Sequence, residues 1–163
     1  MLVLGDALAM VLLNQRGFSK DDFGRFHPGG AIGRVVTMRA MDIMRSGAKF
    51  AKVSVDFSVK DVLCSMSNAR CGAAIVVDEA DKLLGIFTDG DFRRSAEKDI
   101  SVLTKKVGDV MTANPSYVYT DDLAVTVLKK VEDKKINSVI VLERDGKVAG
   151  LIDVQDLPGL KLM

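Results

Sequence analysis

The chain repeats itself, and that constrains its fold more than any other feature. Asp42-Ile43-Met44 recurs as Asp109-Val110-Met111, an offset of 67 residues. Gly85-Ile86-Phe87-Thr88-Asp89-Gly90-Asp91-Phe92 recurs as Gly150-Leu151-Ile152-Asp153-Val154-Gln155-Asp156-Leu157, an offset of 65. The two-residue difference falls in the loop between Met44 and Asp56, longer than its counterpart between Met111 and Asp121. Val59, Val62, Leu63 and Met66 lie on one helical face, and 65 residues on stand the apolar Ala124, Val127, Leu128 and Val131. Ser58 is placed to cap the first helix, and Asp121 or Asp122 the second. A β-branched run follows each helix, at 73–77 and 138–142. An acidic turn and a second apolar run come next, at 83–88 and 147–152, which is a hairpin pattern. A helix with a polar start follows at 89–97, and a shorter one at 154–157 that Pro158-Gly159 ends.

Each copy therefore reads strand, helix, strand, strand, helix, of α/β (α+β) class. Chance similarity of two generic stretches does not explain six marks in register with one small gap. A unit of roughly 60 residues is marginal alone. Two copies are expected to bury each other's apolar sheet faces as a pseudo-twofold pair, whose cleft is a natural ligand site.

Composition removes several functions. There are 23 basic and 22 acidic side chains, a net charge of +1, with no charged block. Nucleic acid is not an expected partner, because it calls for a strongly basic face. One histidine excludes a multi-histidine metal site, and no metal is expected. Cys64 and Cys71 form no C-x-x-C pair and read as buried thiols in a cytoplasmic protein. The pairs Lys129-Lys130 and Lys134-Lys135 read as a solvated face. The apolar stretch from Met1 to Leu13 contains Asp6 and is shorter than the roughly 20 residues needed to span a bilayer. It also lacks the basic start of a signal peptide. It reads as a helix apolar nearly all round, meant for burial.

Together Asp42-Ile43-Met44, Ala74-Ile75-Val76-Val77-Asp78, the Gly85–Asp91 run, Asp109-Val110-Met111-Thr112, Asn114-Pro115 and the Gly150–Leu157 run resemble a tandem of CBS motifs, a Bateman module. The preceding strings Gly5-Asp6-Ala7-Leu8-Ala9, Arg16-Gly17-Phe18, Asp22-Phe23 and His27-Pro28-Gly29-Gly30-Ala31-Ile32-Gly33-Arg34 resemble the end of a sugar-isomerase (SIS) domain. That order is similar to the arabinose-5-phosphate isomerases of Gram-negative bacteria. The resemblance implies a SIS remnant at 1–39, one CBS motif at 40–98 and another at 105–163. It implies a link to interconversion of ribulose 5-phosphate and arabinose 5-phosphate in synthesis of Kdo, a lipopolysaccharide sugar. His27 matches a catalytic histidine of that family. The SIS sheet, phosphate loop and upstream catalytic residues lie outside this sequence, so the chain alone is not expected to turn over substrate. Its first helix is then expected to pack poorly here, stay mobile or drive association.

By the same resemblance, ligand binding falls to the residues after each hairpin. Thr88 and Asp91 match a Thr-x-x-Asp pattern: the aspartate accepts from a ribose diol and the threonine donates to a phosphate. Asp89 opens the same helix, and Arg93 or Arg94 supplies positive charge. A plain helix-start carboxylate is the alternative for Asp91. Ser54, Ala73 and Ala74 are expected to wall this first site. In the second, Asp153 replaces the threonine, Asp156 keeps the diol position, and Asn137 and Ser138 are the expected walls. A carboxylate facing a phosphate is repulsive, so that site is expected to be empty, cation-assisted or suited to a less anionic group. The implied function is a regulatory module with no required cofactor. It would bind a nucleotide or nucleotide-sugar, CMP-Kdo or an adenosine nucleotide, and pair as a homodimer beside an upstream SIS isomerase domain. A purely structural dimerisation unit, and residual isomerase activity with a separate SIS part, are the alternatives.

Overall fold

A computed structural model of the chain describes residues 2–19, 22 and 37–158. His27 lies outside them. Helix α1 spans Leu2–Gln15 and α2 spans Ala40–Ile43. The first motif continues with β1 (Ala51–Ser54), α3 (Val59–Ala69), β2 (Ala73–Val77), β3 (Leu83–Thr88) and α4 (Asp89–Lys98). The second follows with β4 (Thr112–Ala113), β5 (Tyr117–Tyr119), α5 (Ala124–Lys134), β6 (Ser138–Leu142), β7 (Val148–Asp153) and a 3-10 turn at Val154–Asp156. The mixed α/β architecture expected from the repeat is observed.

The sheets run β1-β2-β3-β4 and β5-β6-β7, with the first pair in each parallel and the hairpin antiparallel. Side chains alternate across a strand. On β6, Val139 and Val141 join the core of the second motif while Ile140 and Leu142 join that of the first. The fully apolar β2 and nearly apolar β6 are thereby sandwiched between their own helices and the other sheet.

The leading segments are exchanged between the motifs. Ala40 and Ile43, in front of the first motif, are buried with Val118, Val127, Val139 and Ile152 of the second. Val107, in front of the second, is buried with Val59, Ile75 and Phe87 of the first. Backbone pairing repeats the exchange. Arg39 bridges Leu123 and Ser58 bridges Lys106. Arg45 donates its N–H to Leu151 at 2.8 Å and accepts one from it at 3.1 Å, while Thr112 pairs with Ile86. Gly85 and Gly150 permit these crossings. A Cβ on Gly85 would stand 3.0 Å from the Thr112 carbonyl oxygen, and one on Gly150 would strike that of Arg45. The repeated glycines and the repeated Asp-Ile/Val-Met strings are thus two sides of one contact.

Backbone strain recurs in register. Positive φ occurs at Gly47 and Asn114, at Arg70 and Lys135, and at Asp81 and Gly146. Asp81 takes the left-handed position of the first hairpin turn, where the second uses glycine.

Two local expectations are corrected. Ser58 caps α3 through the Asp61 N–H at 3.2 Å, but the cap of α5 is Leu123, without a side-chain bond. Asp122 instead accepts from the Tyr119 N–H at 2.8 Å, and the first N–H of α5 goes to the Met38 carbonyl. Cys64 is exposed and only Cys71 is buried, because position 64 falls outside the apolar stripe of α3. Helix α1 packs no large apolar face, in line with the expectation that it packs poorly here: Val3, Leu4, Leu8, Met10 and Val11 are all exposed.

Candidate functional site

Each exchange leaves a cleft. The first has a volume of about 670 Å³ and lies between the β3–α4 junction of the first motif and the β4–β5 and α5–β6 junctions of the second. Thr88, Asp89, Asp91, Arg93 and Arg94 line one side; Asn114, Ser116, Lys135, Asn137 and Ser138 line the other. The second cleft, about 770 Å³, is its pseudo-twofold image. Arg45, Lys49 and Arg70 of the first motif face Gln155 and Asp156 of the second.

In the first cleft, Thr88 and Asp91 form a reciprocal cap at the start of α4. Asp91 Oδ2 accepts from the Thr88 N–H at 2.9 Å and its hydroxyl at 2.7 Å, while the Asp91 N–H donates to Thr88 Oγ1 at 3.2 Å. Asp91 Oδ1 accepts from Arg94 at 2.7 Å and from the Thr112 hydroxyl at 3.0 Å. The buried carboxylate is thus fully satisfied as a helix cap, the alternative set out for it above. A diol reaches it by displacing Arg94, whose side chain is 67% exposed. Arg93 leans on its own helix, to the Asp89 carbonyl at 3.4 Å. Asn114, Ser116, Asn137 and Ser138 use no side-chain hydrogen bond among the described residues, and Lys135 holds no ion pair among them. Their donors and acceptors remain available to a ligand.

The second cleft is organised by Arg45. Its Nε donates to Asp156 Oδ2 at 2.6 Å, Nη2 to Oδ1 at 2.9 Å, and Nη1 to the Arg70 carbonyl at 2.7 Å. The hydrogen bond, then its charge, hold the Asp156 carboxyl below the usual carboxylate range. The same hydrogen bond raises Arg45, against the opposing effect of burial. Asp153 is buried, accepts the Gln155 N–H at 3.0 Å and lies 3.9 Å from Arg45.

The placement redistributes the expected residues. Asn137 and Ser138 share the first cleft with Thr88, because the exchange sets each α–β junction opposite the other motif's hairpin end. Asp153 also reaches this cleft, and only Asp156 stays in the second. Ser54 is in neither. It pairs with Val77, whereas Thr88 pairs with Ala73 at the other end of β2, roughly 13 Å away at about 3.3 Å per residue. Ala73 and Ala74 are fully buried in the first core, and Gly72 lines the cleft instead. Lys135, read as solvated, lines a cleft from a left-handed helix cap, as Arg70 does in the other. Arg45 and Thr112 were legible only by register: they are the same position, 67 residues apart. Among the described residues no cluster of histidine, cysteine, aspartate and glutamate is arranged to hold a metal, and no helix is long and apolar enough to cross a membrane.

The CBS domain family model matches residues 40–98 and 107–157. Arabinose 5-phosphate isomerase KdsD of Pseudomonas aeruginosa is 40% identical over 156 residues, which is 96% of this chain and 48% of the relative. The Escherichia coli K12 protein of the same name is 38% identical, over 96% of this chain and 47% of its own length. The chain thus spans about half the length of the curated relatives it matches. Among solved structures, protein MJ1004 of M. jannaschii aligns at TM-score 0.66 and 31% identity, over 76% of this chain and 58% of its own. CBSX2, solved with AMP, aligns at TM-score 0.65 and 24% identity, over 76% and 96%. The CBS domain pair of MJ0100, solved with 5′-methylthioadenosine and S-adenosyl-L-methionine, aligns at 0.67 and 22%, over 76% and 94%.

Proposed function

The chain belongs to the CBS domain family, and from that premise we propose that its paired motifs bind an adenosine-type nucleotide in the first cleft and regulate an arabinose 5-phosphate isomerase. One observation carries the reading: the first cleft joins a carboxylate-and-hydroxyl helix start, uncommitted amides and hydroxyls, and the cation of Lys135. A ribose diol meets Asp91 once Arg94 turns outward. A phosphate meets Lys135 and Arg93, with Arg94 swung onto it. Asn114, Ser116, Asn137 and Ser138 are left to read the base. AMP, 5′-methylthioadenosine and S-adenosyl-L-methionine in the CBS neighbours favour adenosine chemistry; CMP-Kdo is the nucleotide-sugar rival.

Regulation requires a ligand that prefers one arrangement of the motifs. A nucleotide in this cleft touches both motifs and the exchanged segment at Thr112, so it biases how they sit together. In this reading the first 39 residues are the end of a SIS domain, the isomerase chemistry belongs to that domain, and His27 acts only with it. The setting is a cytoplasmic homodimer. Thermal-shift titration with millimolar AMP, ATP, S-adenosylmethionine and CMP-Kdo tests the proposal. An adenosine ligand is expected to raise the melting temperature by mass action. A shift with CMP-Kdo alone replaces the ligand class, and no shift with any of the four overturns the reading.

A further inference from the structure

We infer that the pair holds one nucleotide, in the first cleft, because Arg45 closes the second from within. The inference rests on the nucleotide reading above and adds its stoichiometry and the residue that sets it. By register Thr88, Asp91 and Thr112 correspond to Asp153, Asp156 and Arg45; Asp156 and Arg45 line the second cleft, and Asp153 lies 3.9 Å from Arg45. The volumes are similar, so size does not separate them. The acceptors do. A ribose diol needs the carboxylate oxygens of Asp156, and the Arg45 guanidinium already sits on both, at 2.6 and 2.9 Å, in a two-pronged arrangement that matches their spacing. Its third arm is fixed on the Arg70 carbonyl.

The plug in the first cleft is of another kind. Thr112 gives one hydroxyl to one oxygen, and Arg94 is a solvent-exposed side chain; when it rotates away, the buried Asp91 carboxylate keeps the Thr88 N–H and hydroxyl and the Thr112 hydroxyl as donors. The Arg45 side chain is only 18% exposed. Its departure would strip the cation from Asp156, which lines the cleft, and from the buried Asp153 beside it. The carboxylate at Asp153, where the first motif has threonine, and the guanidinium at Arg45, where the second motif has threonine, thus compensate each other electrostatically. Arg45 is a specificity-determining residue, and its effect is to exclude.

Calorimetric titration of AMP into the full chain reads this directly. The wild type is expected to bind one AMP. Asp91→Asn, which keeps a helix-capping side chain but lacks the charged diol acceptor, is expected to lose that binding entirely. The double variant Arg45→Thr/Asp153→Thr, which removes the plug together with the buried carboxylate it neutralises and restores threonine at both register positions, is expected to bind two. Two AMP on the wild type, or one remaining on Asp91→Asn, overturns the inference and leaves the nucleotide reading standing. A folded double variant that still binds one removes Arg45 as the determinant. A wild type that binds no AMP overturns the reading for this nucleotide, and the inference falls with it.

Discussion

Replacing Gly150 by alanine tests the exchange of leading segments at its tightest point. The new Cβ has no room: the Arg45 carbonyl oxygen lies inside any normal contact distance, and the Met44 sulfur is 2.8 Å away. The thioether can swing aside, but the carbonyl belongs to a two-way backbone bridge with Leu151. Overpacking of this kind costs about 1–3 kcal/mol. Weakening two backbone hydrogen bonds adds about 1 kcal/mol each at most. The expected loss is therefore about 3 kcal/mol, a drop in melting temperature of roughly 10 °C for a domain of this size. Gly85→Ala is milder, since its nearest obstacle is the movable Met111 side chain and the Thr112 carbonyl stands at 3.0 Å. About half the loss is expected there. Gly5→Ala, on exposed α1 with nothing within 4 Å, is the control and leaves the cooperative transition unmoved. Urea unfolding followed by circular dichroism, fitted with a common slope, measures all three. A Gly150→Ala protein within about 0.5 kcal/mol of wild type, the usual range for surface substitutions, would refute the close crossing and the reasoning that pairs these glycines with the repeated methionine strings.

Lys135 sits in the left-handed helix region with φ 51° and lines the first cleft. Lys135→Gly is expected to raise stability by about 1 kcal/mol through relief of that conformation, yet weaken nucleotide binding; melting curves with and without ligand separate the two effects. The lowered Asp156 carboxyl gives a pH signature. A depressed carboxyl contributes stability that is present above its unfolded pKa of about 3.9 and is lost as pH falls through its lower folded value. Asp156→Asn should therefore flatten the acid limb of a stability–pH curve below about pH 4, and an unchanged limb would assign that limb to other carboxyls. Phe87, fully buried beneath the crossing, is expected to cost about 3–5 kcal/mol when changed to alanine, measured by the same urea unfolding.

The fold was legible because both its signals are local. Apolar spacing at Val59, Val62 and Met66 defines a helix face, and the β-branched runs define strands. The offset then transfers every element to the second copy. The exchange was not legible, because it depends on which hairpin a leading segment lies against, and neither Met44 nor Met111 carries that information in its neighbours. Asn137 and Ser138 were consequently placed with Asp156 when they face Thr88. Ser54 was misplaced for a different reason: a resemblance ties it to the site, while the parallel register of β1 on β2 carries it to the far end of the sheet. Lys135 was hidden by its charge, since a lysine after a helix is ordinarily solvated and only the left-handed cap turns the chain into the cleft at that point. The departure of the second Thr-x-x-Asp pattern was legible, with an empty, cation-assisted or less anionic site as its expected consequence. That Arg45 stands beside Asp153 and Asp156 required the same register to be extended to positions 45 and 112.

On the function proposed, an adenosine nucleotide binds across the first cleft and touches both motifs at once. Amide chemical-shift mapping of the labelled chain during an AMP titration tests it most directly. The predicted result is saturable shifts at Thr88 and Asp91 of the first motif together with Thr112, Lys135, Asn137 and Ser138 of the second, while Arg45, Arg70 and Asp156 stay in place. Shifts confined to one motif, or centred on Arg45 and Asp156, would contradict it.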